Sequence, residues 1–154
     1  MRVLLDIPEE GLCGLSRKYF EQVCSFLSHE LGNNFLFSKR VGVGVSSASL
    51  EEMAVLNEQS LKKTGPTDIL SFPTYHNKET VESIQSDEFF LGDIVLCESV
   101  IRRDAQKDGV SYEHEMAFVF SHGILHLLGY EHGEEMFALQ DKVCENMKKE
   151  KLWK

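Results

Sequence analysis

Apolar positions along the first half of the chain recur with two different periods. Residues 2–7 (RVLLDI) read as a short strand, and Leu15, Tyr19, Val23 and Leu27 then fall at helical spacing, predicting a helix over 15–31 that Gly32 stops. Val41, Val43 and Val45 alternate with glycines and lead into Ser46 and Ser47, a second strand. Gly42 and Gly44 weaken that strand and imply close packing against one of its faces. Ser49 and Glu52 form a capping box, and Leu50, Met53, Ala54 and Leu56 supply the apolar face of the helix it opens. Thr64-Gly65-Pro66 breaks this helix, residues 68–72 (DILSF) give a third strand closed by Pro73, and residues 89–97 give a fourth. The polar, aperiodic stretch between them, 74–88, is expected to be a mobile loop.

Beyond residue 97 the pattern becomes helical. One helix is predicted over about 98–107 and another from Ser111 to Gly129, with Glu113 and Glu115 favouring its N-terminus. The second is apolar nearly all round, so it belongs in the middle of the domain. A last helix over 133–149 carries Met136, Leu139, Val143 and Met147 on one stripe. No repeat or linker interrupts the pattern. Four strands, mostly early, and several helices, mostly late, predict a single α+β domain over residues 1–154.

Composition narrows the setting. With 154 residues, 42% of them apolar and 27% charged, the chain is long enough to bury a core without staples. Asp6 and Pro8 cut the early apolar run short, and no stretch approaches the roughly 18 apolar residues of a membrane span. The expectation is a cytoplasmic protein with no membrane partner. Cys13, Cys24, Cys97 and Cys144 have no CxxC spacing and read as buried or half-buried thiols, not ligands. The net charge of −9 argues against a long nucleic-acid footprint, because the positive charge is confined to pairs such as Lys62-Lys63.

Residues 122–132 (HGILHLLGYEH) change the picture most. His122 and His126 at i and i+4 stand one turn apart on one helix face, and Gly129 turns the chain so that His132 is brought round to them. Three imidazoles and a vacant fourth position are the layout of catalytic zinc, which acidifies a bound water. Read as core residues instead, they would leave three buried polar rings to satisfy in a small domain. The spacing is that of the metzincin proteases, but Gly123 stands where those enzymes carry their general-base glutamate.

The same residues resemble more closely the YbeY family of endoribonucleases and ribosomal RNA maturation factors. Every fixed position of its HGxLHLxGYxH hallmark is filled, residues 57–73 (NEQSLKKTGPTDILSFP) are similar to the family segment ending in TDVLSFP, and residues 91–95 (LGDIV) match its LGDI strand. The resemblance implies a compact, zincin-like α+β fold with a small mixed four-stranded sheet packed with helices. Its metal site would lie on a central helix and the turn after it. It further implies one zinc ion on His122, His126 and His132 and action on single-stranded RNA in ribosomal RNA maturation and ribosome quality control. Ribosomal RNA is then the expected substrate, a ribosomal protein or assembly factor a possible partner, and DNA is not expected. The family usually has an arginine four residues after the asparagine. Leu61 stands there in this chain, with Lys62 and Lys63 beside it as replacement point charges.

Other polar residues divide between chemistry and structure. Ser71 is a candidate to face the cleft and donate to a phosphate, alongside Lys62 and Lys63. Asp68 is expected to brace a turn, and Asp93, inside an apolar strand, to need a partner. Glu113, Glu115, Glu131 and Glu134 are candidate bases or acceptors for imidazole N–H groups, with no catalytic residue singled out. His114 lies two turns before His122, too far to join the ligands, and His29 and His76 read as surface residues. Two rivals to the ribonuclease remain: a metallopeptidase-like zinc hydrolase, and a non-enzymatic ribosome-assembly factor with a structural metal.

Overall fold

The computed structural model describes residues 1–32, 36, 38–61 and 65–150. Lys62 and Lys63 therefore lie outside the described residues. Within them the chain forms β1 (Arg2–Asp6), α1 (Arg17–Leu31), β2 (Arg40–Ser47), α2 (Leu50–Leu61), β3 (Ile69–Pro73), α3 (Lys78–Glu82), β4 (Glu88–Leu96), α4 (Glu98–Asp108), α5 (Tyr112–Leu127) and α6 (Glu134–Lys149). The strands make one mixed sheet in the order β1-β2-β4-β3, with β2 parallel to β1 and β4, and β3 antiparallel to β4. This is the α+β class that the pattern of periods predicts.

Local chemistry sets the ends of the helices. The Ser16 hydroxyl accepts from the Tyr19 N–H, so α1 starts two residues later than its apolar spacing suggests. Ser49 and Glu52 exchange the two bonds of a capping box, at 3.0 and 3.1 Å. Ser111 caps α5 by accepting from His114 N–H at 3.0 Å.

Residues 74–88, expected as a loop, contain the short helix α3 and a set of side-chain bonds. Asn77 caps the short α3 through the Thr80 N–H, and the Lys39 ammonium donates to the carbonyls of Ile84, Gln85 and Ser86 at 2.8–3.3 Å. A polar, aperiodic sequence hides such order because its bonds are made by caps and a distant lysine.

Helices α1, α5 and α6 bury the main core against one face of the sheet. Phe20 and Phe120, both fully buried, meet edge to face at 5.0 Å in its middle. A smaller cluster of Met53, Leu70, Cys97 and Val100 closes the β3 side. Each glycine of β2 accommodates a side chain from β4: a Cβ on Gly42 would meet the Phe90 ring at 3.2 Å, and one on Gly44 would meet Asp93 Oδ1 at 2.2 Å. Asp93 is exposed, so it needs no buried partner, contrary to expectation. All four cysteines are free and buried, and burial pushes the Cys13 and Cys144 thiols up to about 12.

Candidate functional site

The site begins with the placement of α5. Its middle crosses β3 and β4 at Gly123, where an added Cβ would lie 2.6 Å from Ile69 Cδ1 and 3.0 Å from Ile94 Cδ1. Glycine lets the helix lie on the sheet, and that contact turns the flanking His122 and His126 toward a cleft of about 510 Å³. A glutamate at 123 would press into the two isoleucines instead of reaching that cleft. The protease base is therefore absent from the sequence, and the space next to residue 123 is already filled by the ends of the two isoleucine side chains.

The end of α5 delivers the third histidine. Tyr130 N–H bonds to Leu125 O and Gly129 N–H to His126 O, both at 3.0 Å, the paired bonds of a Schellman turn. Gly129 has φ of +95°, and a Cβ on it would sit 2.3 Å from the Lys78 backbone nitrogen. Only glycine satisfies both the torsion and the approach of α3. The Lys78 ammonium lies 4.3 Å from the centre of the Tyr130 ring, tying the same turn to α3.

These two devices gather the rings. Their centres are 4.8 Å (His122–His132), 5.9 Å (His126–His132) and 6.2 Å (His122–His126) apart, and Nε2 of His122 is 3.0 Å from Nε2 of His132. Imidazole nitrogens about 2.0–2.1 Å from a tetrahedral ion are separated by roughly 3.3 Å, with ring centres roughly 5 Å apart. The donor type and spacing fit such an ion. As placed, no three His, Cys, Asp or Glu side chains among the described residues are arranged to hold a metal. The remaining adjustment is rotation of side chains, for which the exposed positions of His126 and His132 leave room. The backbone that brings the rings together is the harder part, and it is already in place.

Electrostatics favours a neutral His122. Burial, followed by the neighbouring His132 and His126, pushes His122 below its ordinary value, against a hydrogen bond that its Nδ1 donates to Gln140, which pulls the other way. Gln140 is itself fully buried, with Nε2 donating to Phe118 O at 2.9 Å and Oε1 3.5 Å from His122 Nδ1. Asp68 and Glu115 line the same cleft, both raised, mainly by burial, with Asp108, Asp104 and Asp68 adding to the shift of Glu115. Asp68 stands near enough to His122 for each to favour the other's charged form, whereas Glu115 lies two helical turns before His122 on α5.

Comparison with known proteins agrees with this geometry. The family model described as endoribonuclease YbeY matches residues 12–148. An endoribonuclease YbeY of Nocardia farcinica is 35% identical over 148 residues, covering 92% of this chain and 74% of the relative. The chain belongs to the endoribonuclease YbeY family. A Nocardioides member is 44% identical over 96 residues, a match that spans 64% of that relative's length. The fold is also that of the Thermotoga maritima protein TM1509, solved in solution, with a TM-score of 0.58 at 25% identity, covering 96% of this chain and 90% of that one.

Of the residues singled out from sequence, the structure places His122, His126, His132, Ser71, Asp68 and Glu115 on the cleft. Ser71 lies on β3, the edge strand facing α5 across it. Among the described residues His114 and Glu113 do not line this cleft, and Glu131 and Glu134 line a separate groove beside Lys78. His29 and His76 are exposed, as expected. Gln140 and the aromatic pair Phe118 and Phe137, which also line the cleft, escaped the sequence reading. Gln140 left a signal: it occupies the i+4 position of the apolar stripe that starts at Met136.

Proposed function

We propose that this chain is a metal-dependent endoribonuclease acting on single-stranded RNA in ribosomal RNA maturation and ribosome quality control in the cytoplasm. The observation that carries the reading is the convergence of three imidazoles on one wall of an open cleft, in a member of the YbeY family. His122, His126 and His132 would hold one ion, for which zinc best suits an all-imidazole set with an open position. Such an ion supplies Lewis acidity and an acidified water to phosphodiester hydrolysis.

The chain's own residues account for the rest. Gly123 and the Schellman turn fix where the three rings stand, and burial keeps His122 unprotonated and able to donate its lone pair. Ser71 on β3 offers a hydroxyl across the cleft for a phosphate oxygen. Lys62 and Lys63 remain candidates for phosphate attraction. Glu115, two helical turns before His122 on α5, opposes phosphate at that end of the cleft, so the scissile group belongs at the histidine end.

Gly123, wedged against Ile69 and Ile94, leaves the peptidase reading without a base. The acidic cleft favours a different second reading, an assembly factor that binds ribosomal particles without cutting, its metal structural. Purified protein assayed on a single-stranded ribosomal RNA fragment separates the two. Cleavage abolished by chelator and by His126→Ala, with about one zinc per chain by elemental analysis, supports the ribonuclease. Cleavage indifferent to both would sink it. Ribosome co-sedimentation that survives metal removal, with no hydrolysis, would favour the assembly factor.

A further inference from the structure

A buried glutamine asks for a reason. On α6 the core stripe runs Met136, Gln140, Val143, Met147, all fully buried, and an apolar residue at 140 would avoid the cost of desolvating an amide. Gln140 spans one turn of the neighbouring α5. Its Nε2 is 2.9 Å from Phe118 O, and its Oε1 is 3.5 Å, the outer limit of a hydrogen bond, from Nδ1 of His122, four residues on.

The chemistry of these groups removes the ambiguity of the amide and then of the ring. A backbone carbonyl can only accept, so the amide nitrogen must face Phe118 and the amide oxygen must face His122. An amide oxygen also only accepts, so the imidazole nitrogen opposite it carries the hydrogen. Neutral His122 is then protonated on Nδ1 and presents a bare Nε2 to the cleft. Nε2 of His132, 3.0 Å from that bare nitrogen, has to be the donor between them.

We propose that Gln140 is a positioning residue that holds His122 in its Nδ1–H tautomer, and that in the metal-free protein His132 is held as the Nε2–H tautomer through His122. His122 is thereby set in advance to offer the nitrogen a metal needs, whereas His132 is not: its hydrogen occupies the same nitrogen. For His132 to offer Nε2 as well, its hydrogen bond to His122 would have to break and its hydrogen leave Nε2, with Nδ1 taking one up from solvent. One ligand is preorganised and another is latched. The affinity consequence rests on the metal reading proposed above; the tautomer assignment does not.

The test uses metal-free, 15N-labelled full-length protein at a pH where the rings are neutral. Two-bond 1H–15N correlations assign the tautomer of each imidazole. The expected pattern is Nδ1–H for His122 and Nε2–H for His132. It should persist in Gln140→Glu, whose carboxylate also accepts, and be lost at His122 in Gln140→Leu. Zinc affinity, measured by competition with a chromophoric chelator, should fall about ten- to a hundredfold in Gln140→Leu and stay near wild type in Gln140→Glu.

An Nε2–H ring at His122 in the wild type, or an unchanged pattern in Gln140→Leu, overturns the proposal. If Gln140→Leu does not fold, the wild-type and Gln140→Glu spectra still decide, since a switch to Nε2–H at His122 in either contradicts it. The expected tautomers without zinc binding would refute the metal reading alone, and tight zinc binding with the opposite tautomers would refute this inference alone.

Discussion

The two ends of the cleft are built on opposite electrical terms. At one end stand three imidazoles, with burial and its neighbours holding His122 below the ordinary histidine value. At the other, two helical turns earlier on α5, burial raises the Glu115 carboxyl from its ordinary value, and Asp108 and Asp104 raise it further. Asp68, also raised by burial, stands between the two and is partly held down by His122. Desolvation drives His122 and Glu115 each toward its neutral form, but the groups left differ in kind. The histidine end is a set of lone pairs that calls for a cation and, through it, for phosphate. The carboxylate end repels phosphate and suits amino groups of a base, which donate to carboxylates. In a chain of net charge −9, the cleft therefore has one place for the backbone of a nucleic acid and another that turns it away.

The sharpest way to break this comparison is to alter one end and read the other. His132→Ala removes a ligand, and metal affinity should fall by roughly a thousandfold or more, taking RNA cleavage with it. Glu115→Gln should leave metal affinity within about twofold, as expected of a distant, partly screened charge. Competition titration against a chelator checks both; equal losses in the two variants would show that the ends are not separate.

The scaffold of the histidine end comes next in size. Gly129→Ala places a Cβ 2.3 Å from the Lys78 backbone nitrogen at a φ of +95°, so strain and clash add. Its unfolding free energy in urea should drop by about 2–4 kcal/mol. Gly123→Ala meets only the ends of Ile69 and Ile94 side chains, at 2.6 and 3.0 Å, and should cost about 1–3 kcal/mol. A larger loss at 123 than at 129 would mean that the sheet contact, not the turn, controls the site.

Much of the histidine end was legible in the sequence and little of the other end. Spacing of i and i+4 on a helix is a local rule, and so is a glycine turn, so His122, His126, His132 and Gly129 could be read directly. The absence of a glutamate at 123 was visible too, but its steric reason lies in Ile69 and Ile94, some fifty and thirty residues earlier in the chain. Gln140 required knowing that α6 packs beside α5. The order in residues 74–88 comes from Asn77, Lys39 and the approach of Gly129, all outside any periodicity. Asp93 misled because its apolar neighbours in the strand implied burial, whereas its own side chain is exposed.

The smallest effect is also the one in which the two ends oppose each other most directly: the pH dependence of stability in the metal-free protein. A histidine held below its ordinary 6.5 in the fold contributes stability that is present above that value and lost as the pH falls through the folded one. Asp68 and Glu115, raised above 3.8 and 4.5, contribute stability that is present below those values and lost as the pH rises through their folded ones. Going up in pH, the carboxylate end should loosen the fold in the acidic range before the histidine end tightens it toward neutrality. Urea midpoints taken across that range should show a shallow dip in these two contributions. Glu115→Gln should fill the acidic limb and raise the neutral midpoint slightly, and His122→Asn should flatten the rise near neutrality. A Glu115→Gln variant that is less stable than wild type at neutral pH would mean that its carboxylate is paired in the fold, and the far end of the cleft would then be a cation site, not an anion barrier.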